Sequence, residues 1–260
     1  MVAPRAFSLS HSEFDFVWER LDVGERPYPL DVRSHGMTFD ERDQLRKQTF
    51  DDLADRGLAD GDDLAQDLED MLLLLVRNSV TIDGQLMIRE RLQVLAAARG
   101  DRGVLAVLTE DVLRLIPVRG TALPAALVQL LPDTPAGPGG EVRMPNAAFT
   151  AAVEEYERLG FTAFESALAD AGITGRDIRT LATLIETNRK AGGQFAANAT
   201  DRLNRRTRTP VLNWIDTEAG RYSVQASTSR DGETWLTFAP ADSARIEHRL
   251  RELLAAVTEE

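Results

Sequence analysis

The side chains able to do chemistry are few in this chain and stand far apart. Three histidines, His11, His35 and His248, are spread over 260 residues, and there is no cysteine. Disulfides, thiol nucleophiles and cysteine-based metal sites are therefore excluded. No H-E-x-x-H, G-x-S-x-G, P-loop or G-x-G-x-x-G is present. His35 lies in a Ser34-His35-Gly36 turn. It could serve as a general base, yet no nucleophile or acid stands beside it in sequence, so a locally bonded turn histidine is expected. His248 sits among Arg245, Glu247 and Arg249, as on a solvated helix face. Asp60-Gly-Asp-Asp63 invites a calcium reading but lacks the x-D-x-G register and terminal bidentate glutamate of a calcium loop. Gly137-Pro-Gly-Gly140 follows no strand directly and is surrounded by prolines, so it reads as linker rather than phosphate loop. Asn198-Ala-Thr200 matches a glycosylation sequon, which has no consequence in an intracellular chain. No cofactor and no metal are expected.

Charge is distributed unevenly. The net charge is −12. Residues 40–70 hold twelve acids against four bases, a net of −8. Such a surface repels phosphate backbones and anionic lipid, so neither nucleic acid nor a membrane is an expected partner. It either steers a basic protein or is a solvated helix face. Arg202, Arg205, Arg206 and Arg208 form the one basic loop, with too few aromatics interleaved for a nucleic-acid surface. The N-terminus has no apolar signal region, and the longest aliphatic run, Met71–Val76, is far short of a membrane span. A soluble, cytoplasmic chain is the expectation.

The elements that must carry these residues are legible from periodicity. Phe7–Leu9 reads as a strand, and Phe14, Val17, Trp18 and Leu21 recur at helical spacing before Gly24. Thr38 and Glu41 form a capping box for a helix with Leu45, Thr49 and Leu53 inward and Gly57 as left-handed C-cap. Leu64, Leu68, Met71, Leu72 and Leu75 mark a third helix. Strands are then predicted at Ser79–Asp83, Leu86–Ala98, Gly103–Leu108 and Val112–Val118, with Asp83-Gly84 as a hairpin turn. A short helix over Pro124–Leu131 closes the half.

Residues 132–145, with four prolines and three glycines, form the expected linker between halves 1–131 and 146–260 of one domain, 1–260. The order then recurs. Phe149, Val153 and Tyr156 mark a helix, Thr162 with Glu165 caps a second, and Thr174 with Asp177 opens a third. Gly192-Gly193 is expected to release the chain into a polar loop. Strands follow at Val211–Asp216, Arg221–Ser227 and Thr234–Phe238, then a helix with Ile246, Leu250, Leu253, Leu254 and Val257 buried. Helices precede a β-meander twice, which makes an α+β fold rather than a doubly wound sheet.

Several of these segments resemble the EspG family. They are Trp18-x-x-Leu21, Gly24-Glu-x-Pro27-Tyr-Pro-Leu30, Ser34-His-Gly36 with Thr38 and Glu41-Arg42, and Arg56-Gly-Leu58. Further on come Ala98-Arg-Gly-Asp-Arg102 with Val104-Leu-Ala-Val107, Asp216-Thr-Glu-Ala-Gly-Arg221, and Asp231-Gly-x-x-Trp235 with Thr237 and Pro240. The resemblance implies a central antiparallel sheet flanked by two helical bundles in two pseudo-symmetric halves. It also implies a cytosolic chaperone that holds a PE–PPE heterodimer by the PPE tip and delivers it to the ESX type VII secretion machinery, with no catalysis. In the family, the loop after the first meander strand and the second-half bundle contribute to the partner surface. The corresponding loop here, around Asp83-Gly84-Gln85, is short.

Candidate contact residues are Leu86, Met87 and Ile88, which follow Asp-Gly without clean alternation, and Arg205 and Arg206 in the basic loop. Both patches are expected to border the client groove. The alternative places Leu86 and Ile88 in the core and the arginines in solvent. Two other functions compete: an adaptor of the same fold for a different helical client, and a small-molecule enzyme with an unrecognised site.

Overall fold

The computed structural model describes residues 5–258 apart from residues 202 and 204. Arg202 of the basic loop therefore lies outside the described residues. Chain order in the first half is β1 (Phe7–Ser10), α1 (His11–Leu21), α2 (Phe39–Asp55), a two-residue hairpin β2 (Ala59–Asp60) and β3 (Asp63–Leu64), then α3 (Gln66–Leu74). A four-strand meander follows: β4 (Val80–Met87), β5 (Arg91–Arg99), β6 (Arg102–Leu108) and β7 (Val112–Arg119), closed by α4 (Leu123–Val128). The second half runs β8 (Val142–Pro145), α5 (Asn146–Leu159), α6 (Phe161–Asp170), α7 (Arg176–Glu186) and β9 (Arg189–Thr200). It continues with β10 (Arg206–Arg208), β11 (Leu212–Thr217), β12 (Gly220–Thr228), β13 (Thr234–Pro240) and α8 (Ser243–Thr258).

Among the described residues eleven strands make one sheet, in the order β1-β7-β6-β5-β4-β9-β11-β12-β13-β8, with β10 beside β9. Apart from the β2–β3 hairpin and β10, the duplication is complete at the level of topology. In each half an isolated strand precedes three helices and then pairs with the last strand of its own meander. The first strands of the two meanders, β4 and β9, meet antiparallel over eight residue pairs, from Val80↔Ala199 to Met87↔Gly192. That seam joins the halves.

Two expectations fail at the seam, for one reason. Asp83-Gly84 is no turn; both residues lie inside β4, and the connection to β5 is Ile88–Glu90. Gly192-Gly193 is no loop; both lie inside β9. These glycines serve close packing rather than positive φ. A Cβ on Gly84 would stand 2.6 Å from the Phe195 ring, and one on Gly193 2.7 Å from the Gln85 carbonyl oxygen. Strand β9 escapes periodicity because Gly and Ala fill it where β-branched residues are usual.

Helix starts divide the same way. Thr38 Oγ1 accepts from Glu41 N as predicted, although the Glu41 carboxylate turns to Met37 N. Ser10 and Glu13 form a full capping box on α1 that the sequence reading missed. Neither Thr162 nor Thr174 caps: α6 starts after Gly160 and α7 after Gly175, both at positive φ, so tight corners set the helix starts. Asp60-Gly-Asp-Asp63 is the β2–β3 turn with Gly61 at φ 58°, not an ion loop. Residues 132–145 lie against the sheet: Ala136 bridges Arg221, and 142–145 are the edge strand β8.

The sheet's two faces are covered differently. One carries α4 and α8, whose Leu127, Ile246 and Leu250 pack on Ile82, Phe195 and Trp214. The α8 stripe is the predicted one, with Ile246, Leu250, Leu253 and Val257 buried. The other face carries both helical bundles. Helices α1–α3 bury Phe14, Val17 and Leu72 against Leu95, Ala97, Val104 and Ala106 of β5 and β6. Helices α5–α7 bury Phe164, Leu168 and Leu181 against Val142, Met144 and Phe238 of β8 and β13.

Two buried ionic clamps fix what the cores leave loose. Arg221, fully buried, grips the Asp216 carboxylate with Nε at 2.6 Å and Nη2 at 2.8 Å. It also donates to the Pro132 carbonyl and the Ser243 hydroxyl, tying the inter-half segment and the start of α8 to the β11–β12 hairpin. In the first half, buried Asp15 accepts from Arg26, from Arg42 Nη1 at 3.0 Å and from the His35 backbone N–H at 2.8 Å. Those contacts fold residues 22–38 onto α1, helped by Trp18 Nε1–H donating to the Gly24 carbonyl at 2.9 Å. Burial pushes the Asp15 carboxyl upward, but the Arg42 and His35 hydrogen bonds and the charges of Arg42 and Arg26 outweigh it and hold the group below its ordinary range.

Three outcomes are expected. Arg221→Met leaves the Asp216 carboxylate buried and unpaired and lowers urea-measured stability by about 3–5 kcal/mol; adding Asp216→Leu recovers part of the loss. Asp15→Asn costs about 3 kcal/mol at pH 7. Because the folded Asp15 carboxyl titrates lower than the unfolded one, near pH 3.9, its contribution is complete above about pH 4. It is lost as pH falls through the depressed folded value, so wild type and Asp15→Asn converge there. Finally, limited proteolysis yields one protected body of both halves; release of two stable cores cut within 132–145 contradicts a single folding unit.

Candidate functional site

Two of the molecule's concavities, both lined in part by bundle residues, lie on the bundle-bearing face. The first, about 610 Å³, is lined by Asp15, Trp18, Glu19, Arg26, Tyr28 and Arg42 among others. A shifted carboxylate in a cleft is a usual mark of catalysis. Here both Asp15 oxygens are consumed by Arg26, Arg42 and His35, and Arg42 is shared with Glu19. The arrangement is a clamp that shapes residues 22–38, the segment holding most of the first-half motifs. The local bonding expected of His35 is not seen: its backbone N–H donates to Asp15 of α1, twenty residues away, and its Nδ1 lies 3.5 Å from the same carboxylate. His11 Nε2 lies 3.0 Å from the Thr109 carbonyl, and His248 lies beside Glu252 on α8. No group of three metal-ligating side chains occurs among the described residues.

The second concavity is a groove of about 650 Å³. It exists because the two bundles are seated differently on equivalent strands. Helix α3 rests on β5 and β6. Its counterpart α7 rests on β8, out at the sheet edge, rather than on the equivalent strands β11 and β12. The displacement is two to three strand spacings, roughly 10–14 Å. It leaves β9 and β11 uncovered between the bundles.

Register dictates what the uncovered strip presents. Gln93, Gln85, Gln194 and Asn213 are direct cross-strand partners on β5, β4, β9 and β11. They form a row of neutral amides across the floor. The next row on the same face is Arg91, Met87, Gly192 and Ile215. Half-buried Phe149 and Val153 of α5 and Leu184 and Ile185 of α7 make the outer wall, with Val224 and Leu236 beneath. Phe149 is braced by Phe238, ring centroids 4.7 Å apart. The floor is thus polar and hydrogen-bonding, and the wall apolar.

The inner end of the strip is closed by a polar cluster. Buried Asp83 accepts from Arg208 Nη2 at 2.9 Å and from Asn198 Nδ2 at 2.7 Å, and Asn198 also reaches Thr81 Oγ1. The sequon asparagine is therefore buried and committed. Arg208 sits over the Tyr28 ring, and the Tyr28 hydroxyl accepts from Gln85 Nε2 at 2.9 Å. The Asp15-clamped segment thereby forms the first-half wall.

The predicted contact residues are split by the fold. Met87 projects onto the groove face and is 56% exposed. Leu86, one residue away on the pleat, points to the opposite face and is buried against α4 and α8 residues; Ile88 packs there too. Arg205 pairs with Asp201 at 2.7 Å, and Arg206 pairs with Thr200 across β10–β9. Thr200 is eight residues along β9 from Gly192, about 26 Å from the Met87 end of the groove. The two patches are not adjacent. Gln194, Asn213, Ile215 and the α5 and α7 residues were missed. They become neighbours only through the β4–β9 seam, and no local pattern announces it.

Comparison with known proteins places this geometry. No curated protein sequence matches the chain. Among solved structures, the Mycobacterium tuberculosis type VII secretion system chaperone EspG5, solved in complex with the PE25–PPE41 dimer, superposes with a TM-score of 0.76. The match covers 96% of each chain at 15% sequence identity, a likeness of fold. It agrees with the α+β expectation of a large antiparallel sheet with flanking helices. No helix among the described residues is long and apolar enough to cross a membrane. The EspG family model matches residues 10–252, and the chain belongs to the EspG family.

Proposed function

We propose that this chain is a chaperone for type VII secretion that holds the tip of a PE–PPE heterodimer in the groove between its bundles. The observation that carries the reading is the open groove itself. It has an apolar wall on α5 and α7 and an amide row on β4, β9 and β11, in a fold shared with a chaperone solved bound to PE25–PPE41. An exposed apolar helix tip self-associates in water, and covering it keeps the client soluble. The amide row supplies hydrogen bonds to the polar groups left open at helix ends. The complex acts before export, in the cytoplasm, and hands the client to the ESX machinery without a chemical step. The β4–β5 connection, only Ile88–Glu90, leaves the first-half rim of the groove low. That feature favours, as second reading, an adaptor for a helical client of another shape.

Capture of PE–PPE pairs co-expressed from the same genome tests the reading. Met87→Asp and Ile215→Asp place a charge on the groove floor. Each is expected to weaken capture by about 2 kcal/mol or more, roughly thirtyfold, with unchanged circular dichroism. Arg205→Glu with Arg206→Glu, at the far end of β9, leaves capture intact. If both floor variants bind like wild type, the groove is not the client site. Retention of a helical protein other than a PE–PPE pair supports the second reading.

A further inference from the structure

The charges around the groove run against those of the chain. The protein has 42 acidic and 30 basic residues, yet among the described residues the groove's charged lining is Arg91 and Arg189 alone. Glu90 and Glu186 lie close in sequence, but neither lines it. Elsewhere some exposed arginines meet carboxylates, as in Arg102–Asp70 and Arg249–Glu252, while others, such as Arg114 and Arg230, are in no ion pair among the described residues. Among the described residues Arg91 and Arg189 are in no ion pair; Arg91 reaches only the Gln85 amide oxygen, at 3.5 Å. The Arg189 side chain lies along the floor, its Cδ and Nε 3.9 Å from where a Gly192 Cβ would be. Gln194 and Asn213, between them on the floor, have no side-chain partner among the described residues.

From this donor-rich, carboxylate-free lining we infer that the groove selects a client tip bearing acidic side chains beside its apolar residues. The inference rests on the client reading above and specifies its chemistry. An apolar tip that covers two guanidinium groups without pairing them removes charge from water uncompensated. Such a tip is rejected, and a basic tip more so, which makes the arginines a device for discrimination as well as attraction. A carboxylate at the rim accepts the guanidinium fork, and the helix C-terminal carbonyls accept from the amides. The net negative charge of the chain, concentrated in residues 40–70, disfavours an acidic client on that part of the surface and leaves the groove as an attractive site.

The test uses the full chain and the PE–PPE pair that wild type retains on co-expression. Arg91→Glu and Arg189→Glu are each expected to weaken binding about tenfold, with unchanged circular dichroism. Wild-type affinity falls severalfold from 50 to 500 mM NaCl, and the Arg91→Gln, Arg189→Gln double variant loses most of that dependence. Changing a tip carboxylate of the client to lysine weakens binding to wild type and restores binding to Arg189→Glu, a rescue that a structural role for the arginine cannot give. If wild type retains a pair but the reversals bind equally and no charge swap rescues, the inference is overturned while the client reading stands. If wild type retains no PE–PPE pair, both are overturned.

Discussion

The β4–β9 pairing is the interaction on which the rest of the molecule depends. Among the described residues it is the only strand pair between the halves, and it converts a five-stranded and a six-stranded unit into one sheet. Two glycines make it possible. Gly84 admits the Phe195 ring against the β4 backbone, and Gly193 admits the Gln85 carbonyl. With both faces of these strands near other groups, neither position has space for a side chain. The seam also fixes register, since a slip of one residue would turn every β9 side chain to the other face. Phe195 would leave the α8 core, and Gln194 would leave the groove floor.

The groove follows from broken symmetry. The halves share the order of their main strands and helices, yet the first bundle closes over the middle of its strands while the second sits at the sheet edge. The first half adds a further device, the segment 22–38, clamped to buried Asp15 and ending at Tyr28 against Gln85. The second half has no such insertion; α5 and α6 are separated by Gly160 alone. One half is thereby consolidated as a wall and the other leaves a groove. A fully symmetric duplication would bury both sheet halves equally and present no concave surface for a partner. The clamp residues have perturbed surroundings because they hold this wall in place.

Elements whose signals are local were legible in the sequence. The α8 stripe, the Thr38 cap, the Gly57 terminus and the β11–β13 strands come from periodicity and capping chemistry that any chain neighbourhood carries. Glycine misled because its two uses look alike in sequence. Asp83-Gly84 reads as a turn when positive φ is assumed, but Gly84 is there for the approach of a ring 111 positions away. The capping boxes at Thr162 and Thr174 lost to sharper corners at Gly160 and Gly175. Of the contact residues read from sequence, Met87 reaches the groove, while the pleat turns Leu86 away and the length of β9 carries Arg205 and Arg206 to the other end. The amide row was invisible because its members lie on four strands, and only the register aligns them.

The central claim is that the displacement of the second bundle exposes a client-binding groove over β9 and β11. A photo-crosslinking amino acid at Val153, at Ile215 and, as a control, at Arg251 on the solvent side of α8 tests it most directly. The predicted result, with a bound PE–PPE pair, is crosslinking to the PPE chain from positions 153 and 215 and none from 251. Crosslinks to the client from 251, with none from 153 or 215, would contradict the account.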